Sequence, residues 1–114
     1  DGAVDQDKLP QMIFEKEVHD FGEIVEGEKV SYSFKFTNTG KSDLIVSNAS
    51  ASCGCTVPHY PTDPIAPGEE GTIDVVFDSK NRPGKVDKKV TIIANTVPNT
   101  KVIKITGRVK SPVN

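Results

Sequence analysis

Residues 29–40 read KVSYSFKFTNTG, and within them every second side chain is apolar. Val30, Tyr32, Phe34 and Phe36 share one parity, while Ser31, Ser33, Lys35 and Thr37 share the other. Successive side chains of a β-strand point to opposite faces, so this stretch fits a strand with one buried face and no helix. Asn38, Thr39 and Gly40 follow as a turn, in which Gly40 is free to take a positive φ.

The pattern recurs along the chain. In EGTIDVVFDS, Ile73, Val75 and Phe77 alternate with Thr72, Asp74 and Asp78, with Val76 an apolar exception on the polar side. Before it, Pro64, Pro67 and Gly68 of TDPIAPGEEG interrupt regular structure, and after it NRPGK makes a turn. Val86, Val90, Ile92 and Ala94 form one more row. TVPNT then closes a hairpin to a last strand, where Ile103, Ile105 and Val109 face inward. A first strand is expected from Met12 to Val18 with a bend at Gly22, and another is centred on Leu44 to Val46.

About seven short strands at this spacing predict an all-β antiparallel sandwich, because a row of apolar side chains on one face needs a second sheet to cover it. A chain of 114 residues with 8 prolines, 9 glycines and no Trp suits one such domain. The expected organisation is a flexible N-terminal tether at residues 1–11, the sandwich at 12–110 and a C-terminal tail at 111–114.

A net charge of −2 offers no basic face for phosphate, which disfavours nucleic acid as a partner. Lys85, Lys88 and Lys89, interrupted by Asp87, read instead as a solvated strand edge that discourages pairing between molecules. No apolar run approaches the roughly eighteen residues of a membrane-spanning helix. The chain opens at Asp1 rather than Met, which is compatible with a cleaved upstream segment.

Both cysteines lie in SASCGCTVPH, where Cys53, Cys55 and His59 spell C-x-C-x₃-H. In an extended strand Cys53 and Cys55 would share one face, with Gly54 opposite, and would behave as small buried hydrophobes. Their Cα atoms would then stand about 7 Å apart, outside the usual disulfide range, so a bridge would need a bent backbone. Two chemical alternatives stand beside core packing. One is a metal site using Cys53, Cys55 and His59, although paired C-x₂-C spacing is absent; the other is a working redox pair. Neither a cofactor nor a catalytic site is expected. His19 beside Asp20 reads as a strand end, Glu69 and Glu70 as a solvated turn, and no serine sits in a G-x-S-x-G elbow.

HDFGEI, FKFTNTG, CGCT, PIAPGEEG, TIDVVFD and IKITGRV, in this order, resemble the bacterial family catalogued as domain of unknown function 1573. The resemblance runs over residues 14–109. It implies a seven-stranded immunoglobulin-like fold akin to Hydin-type, major sperm protein and PapD-like domains. It also implies a periplasmic, envelope-associated or secreted protein of Bacteroidetes or related bacteria. The family signature falls on Cys53, Gly54, Cys55 and Thr56, with no role attached. The widely spaced cysteine pair and Trp of antibody domains are missing, so that disulfide is not expected. The expected function is a non-enzymatic binding or scaffolding module. Its partner would be a protein or peptide added to an exposed edge, or an envelope glycan. The edge with the first strand and the one carrying Lys85, Lys88 and Lys89 are the candidates.

Overall fold

The structure, a computed structural model, describes residues 8–112. It contains eight strands: β1 (Met12–Phe14), β2 (Val18–Val25), β3 (Lys29–Asn38), β4 (Val46–Ala51), β5 (Thr56–His59), β6 (Glu70–Asp78), β7 (Gly84–Ala94) and β8 (Thr100–Lys110). They form two four-stranded sheets, ordered β1-β3-β6-β5 and β2-β8-β7-β4. Together they make the expected immunoglobulin-like sandwich. No helix among the described residues is long and apolar enough to cross a membrane.

The alternating rows meet in one core. Phe34 and Phe36 of β3 and Ile73, Val75 and Phe77 of β6 face Val86, Val90 and Ile92 of β7 and Ile103, Ile105 and Val109 of β8. All of these are buried. Pairing Phe34 with Ile73 and Val90 with Ile103 places each large side chain beside a cross-strand partner on the inner face. Val76, the exception in its row, lies on the outer face opposite exposed Val57.

The first strand differs from expectation. The chain leaves one sheet after Phe14 and enters the other at Val18, so residues 12–18 are not one strand. Val18 is 42% exposed, because the inward positions change from Met12 and Phe14 to His19 and Phe21. The β2–β8 pair is parallel, so the sandwich is not wholly antiparallel. Its register shifts between Asp20 and Glu23, where Gly22 takes φ +77° and donates its N–H to Asp20 Oδ1 at 2.8 Å. The bulge aims Phe21 inward, where it stacks on Phe77 with ring centroids 5.8 Å apart. Gly107 of β8 lies directly beneath Phe21, and a Cβ there would clash with three carbons of the ring.

Gly40 does not use its freedom to take a positive φ. Its missing side chain instead makes room for the backbone of Leu9, Pro10 and Gln11. That segment is tied down: Lys41 N–H donates to Leu9 O, Thr39 N–H to Gln11 O, and the Ser42 hydroxyl to Lys8 O. Of the tether expected at residues 1–11, the part at 1–7 lies outside the described residues. Residues 8–11 run along the domain, with Pro10 buried.

The strand expected around Leu44 to Val46 begins later, at Val46. Leu44 makes a single bridge to Ile65, each N–H donating to the other's carbonyl at 2.8 Å. This clasp holds the two long connections together at one end of the core.

Candidate functional site

The chain passes from one sheet to the other between β4 and β5, and the CGCT signature is that crossing. Cys53, Gly54 and Cys55 form a turn rather than an extended strand. The expectation of two thiols packed side by side in a strand is therefore corrected: Cys53 and Cys55 are joined by a disulfide, with their Cα atoms 5.2 Å apart. Extended geometry puts such residues too far apart, but the turn shortens the separation into the bonding range. Both cysteines are half-buried, and Cys55 alone packs against the core.

Hydrogen bonds fix the crossing on both sides. Thr56 N–H donates to Cys53 O at 3.1 Å, and Asp78 N–H donates to Cys55 O at 2.8 Å. Cys55 N–H points at Cys53 Sγ at 3.2 Å. The hydroxyl of buried Thr56 lies 3.6 Å from Cys55 Sγ and, facing a bridged sulfur, acts as the donor. Gly54 is exposed, its φ is not in the left-handed region, and a Cβ there would meet nothing within 4 Å.

His59 does not join the cysteines. It ends β5 and lines a shallow open groove with Tyr60, Thr62, Asp63 and Asp74. Among the described residues no three His, Cys, Asp or Glu side chains gather as a ligand set, so C-x-C-x₃-H is not assembled into a metal site. His19 and Asp20 sit on β2 at the opposite edge of the sandwich. The groove holding Asp20 is separate from that of His59.

His19 has an electrostatic role of its own. Its ring stacks on Tyr32 at 3.7 Å and 8°, and its Nδ1 is buried without a hydrogen-bond partner. Desolvation, reinforced by Lys16 and opposed by Asp20, holds its pKa below the usual 6.5. The unfolded chain therefore takes up the proton more readily than the folded one. Stability carried by neutral His19 is intact above the unfolded value and declines as pH falls below it toward the folded pKa. The melting temperature is expected to fall as pH drops from about 7.5 to about 5.5. His19→Phe keeps the stack and should flatten that part of the profile; an unchanged slope in the variant would remove His19 as its source.

The four sheet edges differ in how well they are protected. β1 has only 3 residues. β2 carries Asp20, Glu23 and the bulge at Gly22. β5 has 4 residues, with Pro58 among them. Short length, charge, proline and bulges all discourage an added strand. β4 reads VSNASA, with no charge and no proline; its irregularity is confined to the start, between Val46 and Asn48. Tyr60 donates its hydroxyl to Ser47 O, but from Asn48 to Ala51 no loop among the described residues bonds the outer edge.

β4 covers β7 only from Val90 to Ala94. The lysine stretch at 85, 88 and 89 therefore lies along the half of β7 that no described strand covers on that side. Lysines there defend an edge that β4 leaves open. The edge selected by these differences is β4, which the alternation in the sequence did not single out.

No curated protein matches the chain. Among solved structures, a protein of unknown function from Porphyromonas gingivalis W83 superposes with a TM-score of 0.80 at 16% identity. The match covers 93% of this chain and 50% of that one. The ASH/PapD-like domain 7 of human CEP192 superposes with a TM-score of 0.75 at 8% identity, covering 99% and 94%. The secreted serine protease VesC of Vibrio cholerae follows with a TM-score of 0.65 at 13% identity, covering 86% of this chain and 23% of that protease. The chain thus spans half of the Porphyromonas protein and under a quarter of the protease. At these identities the likenesses establish a shared fold. A family profile described as protein of unknown function (DUF1573) matches residues 12–109, and the chain belongs to that family.

Proposed function

We propose that this chain is a non-enzymatic binding module of an exported, envelope-associated protein, and that it takes up an extended segment of another protein along β4. The carrying observation is the contrast among edges: β4 alone combines neutral, small side chains with an uncovered outer edge at residues 48–51. An extended peptide gains main-chain hydrogen bonds on such an edge, and small side chains such as Ala49, Ser50 and Ala51 let it approach closely. A second support concerns compartment. Disulfides persist where the surroundings are oxidising, and the Cys53–Cys55 bridge suits the periplasm or cell exterior.

Random linear peptides displayed on phage and selected on the immobilised chain provide the test. Selected peptides are expected to shift the amide signals of Asn48, Ala49, Ser50 and Ala51 first. Ser50→Lys should weaken their binding at least ~10-fold while leaving the melting temperature within a degree or two. Shifts confined to the groove at His59 and Tyr60, or binding indifferent to Ser50→Lys, would discard strand addition at β4.

A further inference from the structure

The Cys53–Cys55 bridge adds little that the turn lacks. A disulfide stabilises mainly by closing a loop in the unfolded chain, and the effect shrinks with loop length. Here one residue separates the partners. The turn is already held by the hydrogen bonds from Thr56 N–H and Asp78 N–H. Gly54 is likewise not demanded by the fold, since neither its φ nor the space around it excludes a side chain. Gly54, exposed and in open space, places no side chain between the two half-buried cysteines and solvent. Each sulfur also has a donor in place: Cys55 N–H for Cys53 Sγ and the Thr56 hydroxyl for Cys55 Sγ.

From this arrangement we infer that Cys53 and Cys55 form a thiol–disulfide exchange pair that accepts two electrons from a dithiol on another protein. Cys53, which does not pack on the core, is the sulfur attacked. A thiolate of the dithiol bonds to Cys53 Sγ, and the Cys53–Cys55 bond breaks with its electron pair passing to Cys55. The departing thiolate accepts a hydrogen bond from Thr56. The second thiolate of the dithiol then attacks its own sulfur in the mixed disulfide. A disulfide forms in the partner, and Cys53 leaves as a thiolate facing the Cys55 N–H. Two electrons have moved from the dithiol to the pair. The dithiol gives its two protons to solvent before attack, the two released cysteine thiolates take protons from solvent, and the reverse reaction reduces a partner disulfide. Hydrogen bonds to a departing thiolate make it a better leaving group, which speeds both steps.

The test uses the intact chain with dithiothreitol as the dithiol, followed by alkylation and mass measurement. The pair is expected to pass reversibly between disulfide and dithiol across glutathione redox buffers, with the β-sheet circular dichroism spectrum unchanged. Gly54→Val, which the open space accommodates, should slow reduction by dithiothreitol about 10-fold without lowering the melting temperature. Reduction only in denaturant, unfolding on reduction, or an unaltered rate in a folded Gly54→Val variant would each overturn the assignment. The redox titration of the unsubstituted chain decides the matter even where that variant does not fold.

Discussion

Replacing Asn38 with Asp is expected to destabilise the domain by about 3–5 kcal/mol at neutral pH, although the two side chains have the same shape. Asn38 ends β3 and is 0% exposed. Its amide nitrogen donates to Ser42 O and to Ile65 O, both at 2.8 Å. Its carbonyl accepts from Gly40 N–H at 2.9 Å and from Gln11 N–H at 3.2 Å. One side chain thereby joins the N-terminal segment, the turn after β3 and the connection that clasps Leu44. A carboxylate would keep the two accepted bonds but turn an oxygen toward two carbonyls that currently receive donors. Burying that charge raises the folded-state pKa of the new carboxyl above its unfolded value. The variant should therefore recover part of its stability in acid, where the carboxyl regains one donor, and lose it as pH rises. Chemical denaturation at neutral and acidic pH provides the measurement. A loss below about 1 kcal/mol at neutral pH would show that the amide bonds are not needed. Asn38→Leu, expected to lose a comparable amount without the pH trend, separates charge burial from missing donors.

Asn38 also marks where reading the sequence stopped short. Alternation identifies the buried rows of β3, β6, β7 and β8 because each long strand keeps one register against the core. It assigns Asn38 to a turn, because Asn before a Thr-Gly pair is ordinary turn chemistry. Nothing local reveals that the same residue is a fully bonded buried amide, since its partners at Gln11 and Ile65 are each 27 residues away. The sheet switch after Phe14 left a fainter trace. Inward parity is even at Met12 and Phe14 and odd at His19 and Phe21, and one continuous strand cannot satisfy both. The bulge at Gly22 changes parity again, bringing Ile24 inward, which hides the parallel pairing of β2. At the signature the difficulty was conformational. Parity arguments assume extended backbone, and Cys53, Gly54 and Cys55 stand where the chain must bend to reach the other sheet. The motif residues were visible, but the bridge and the open β4 edge depend on where that bend falls.

The layered core makes its own large prediction at Phe77. This ring is 0% exposed near the end of the inner strand β6, with Val30 and Thr56 as cross-strand neighbours and Phe21 stacked on it from the opposite sheet. Phe77→Ala should cost about 3–5 kcal/mol, since it removes the buried ring and leaves a cavity that stiff strands on both sides cannot close. For a domain of this size that corresponds to a fall in melting temperature of roughly 10–25 °C. Phe21, half-buried over Gly107, should cost clearly less when cut to alanine. The double variant should cost less than the sum of the two, because the stacked pair is lost only once. Additive losses would mean that Phe21 is not held against Phe77. The bulge at Gly22 would then be no more than an irregular edge. Sub-additive losses would make it the device that lets a parallel edge strand close the core: it swings one aromatic ring across a glycine in β8 and onto the facing sheet.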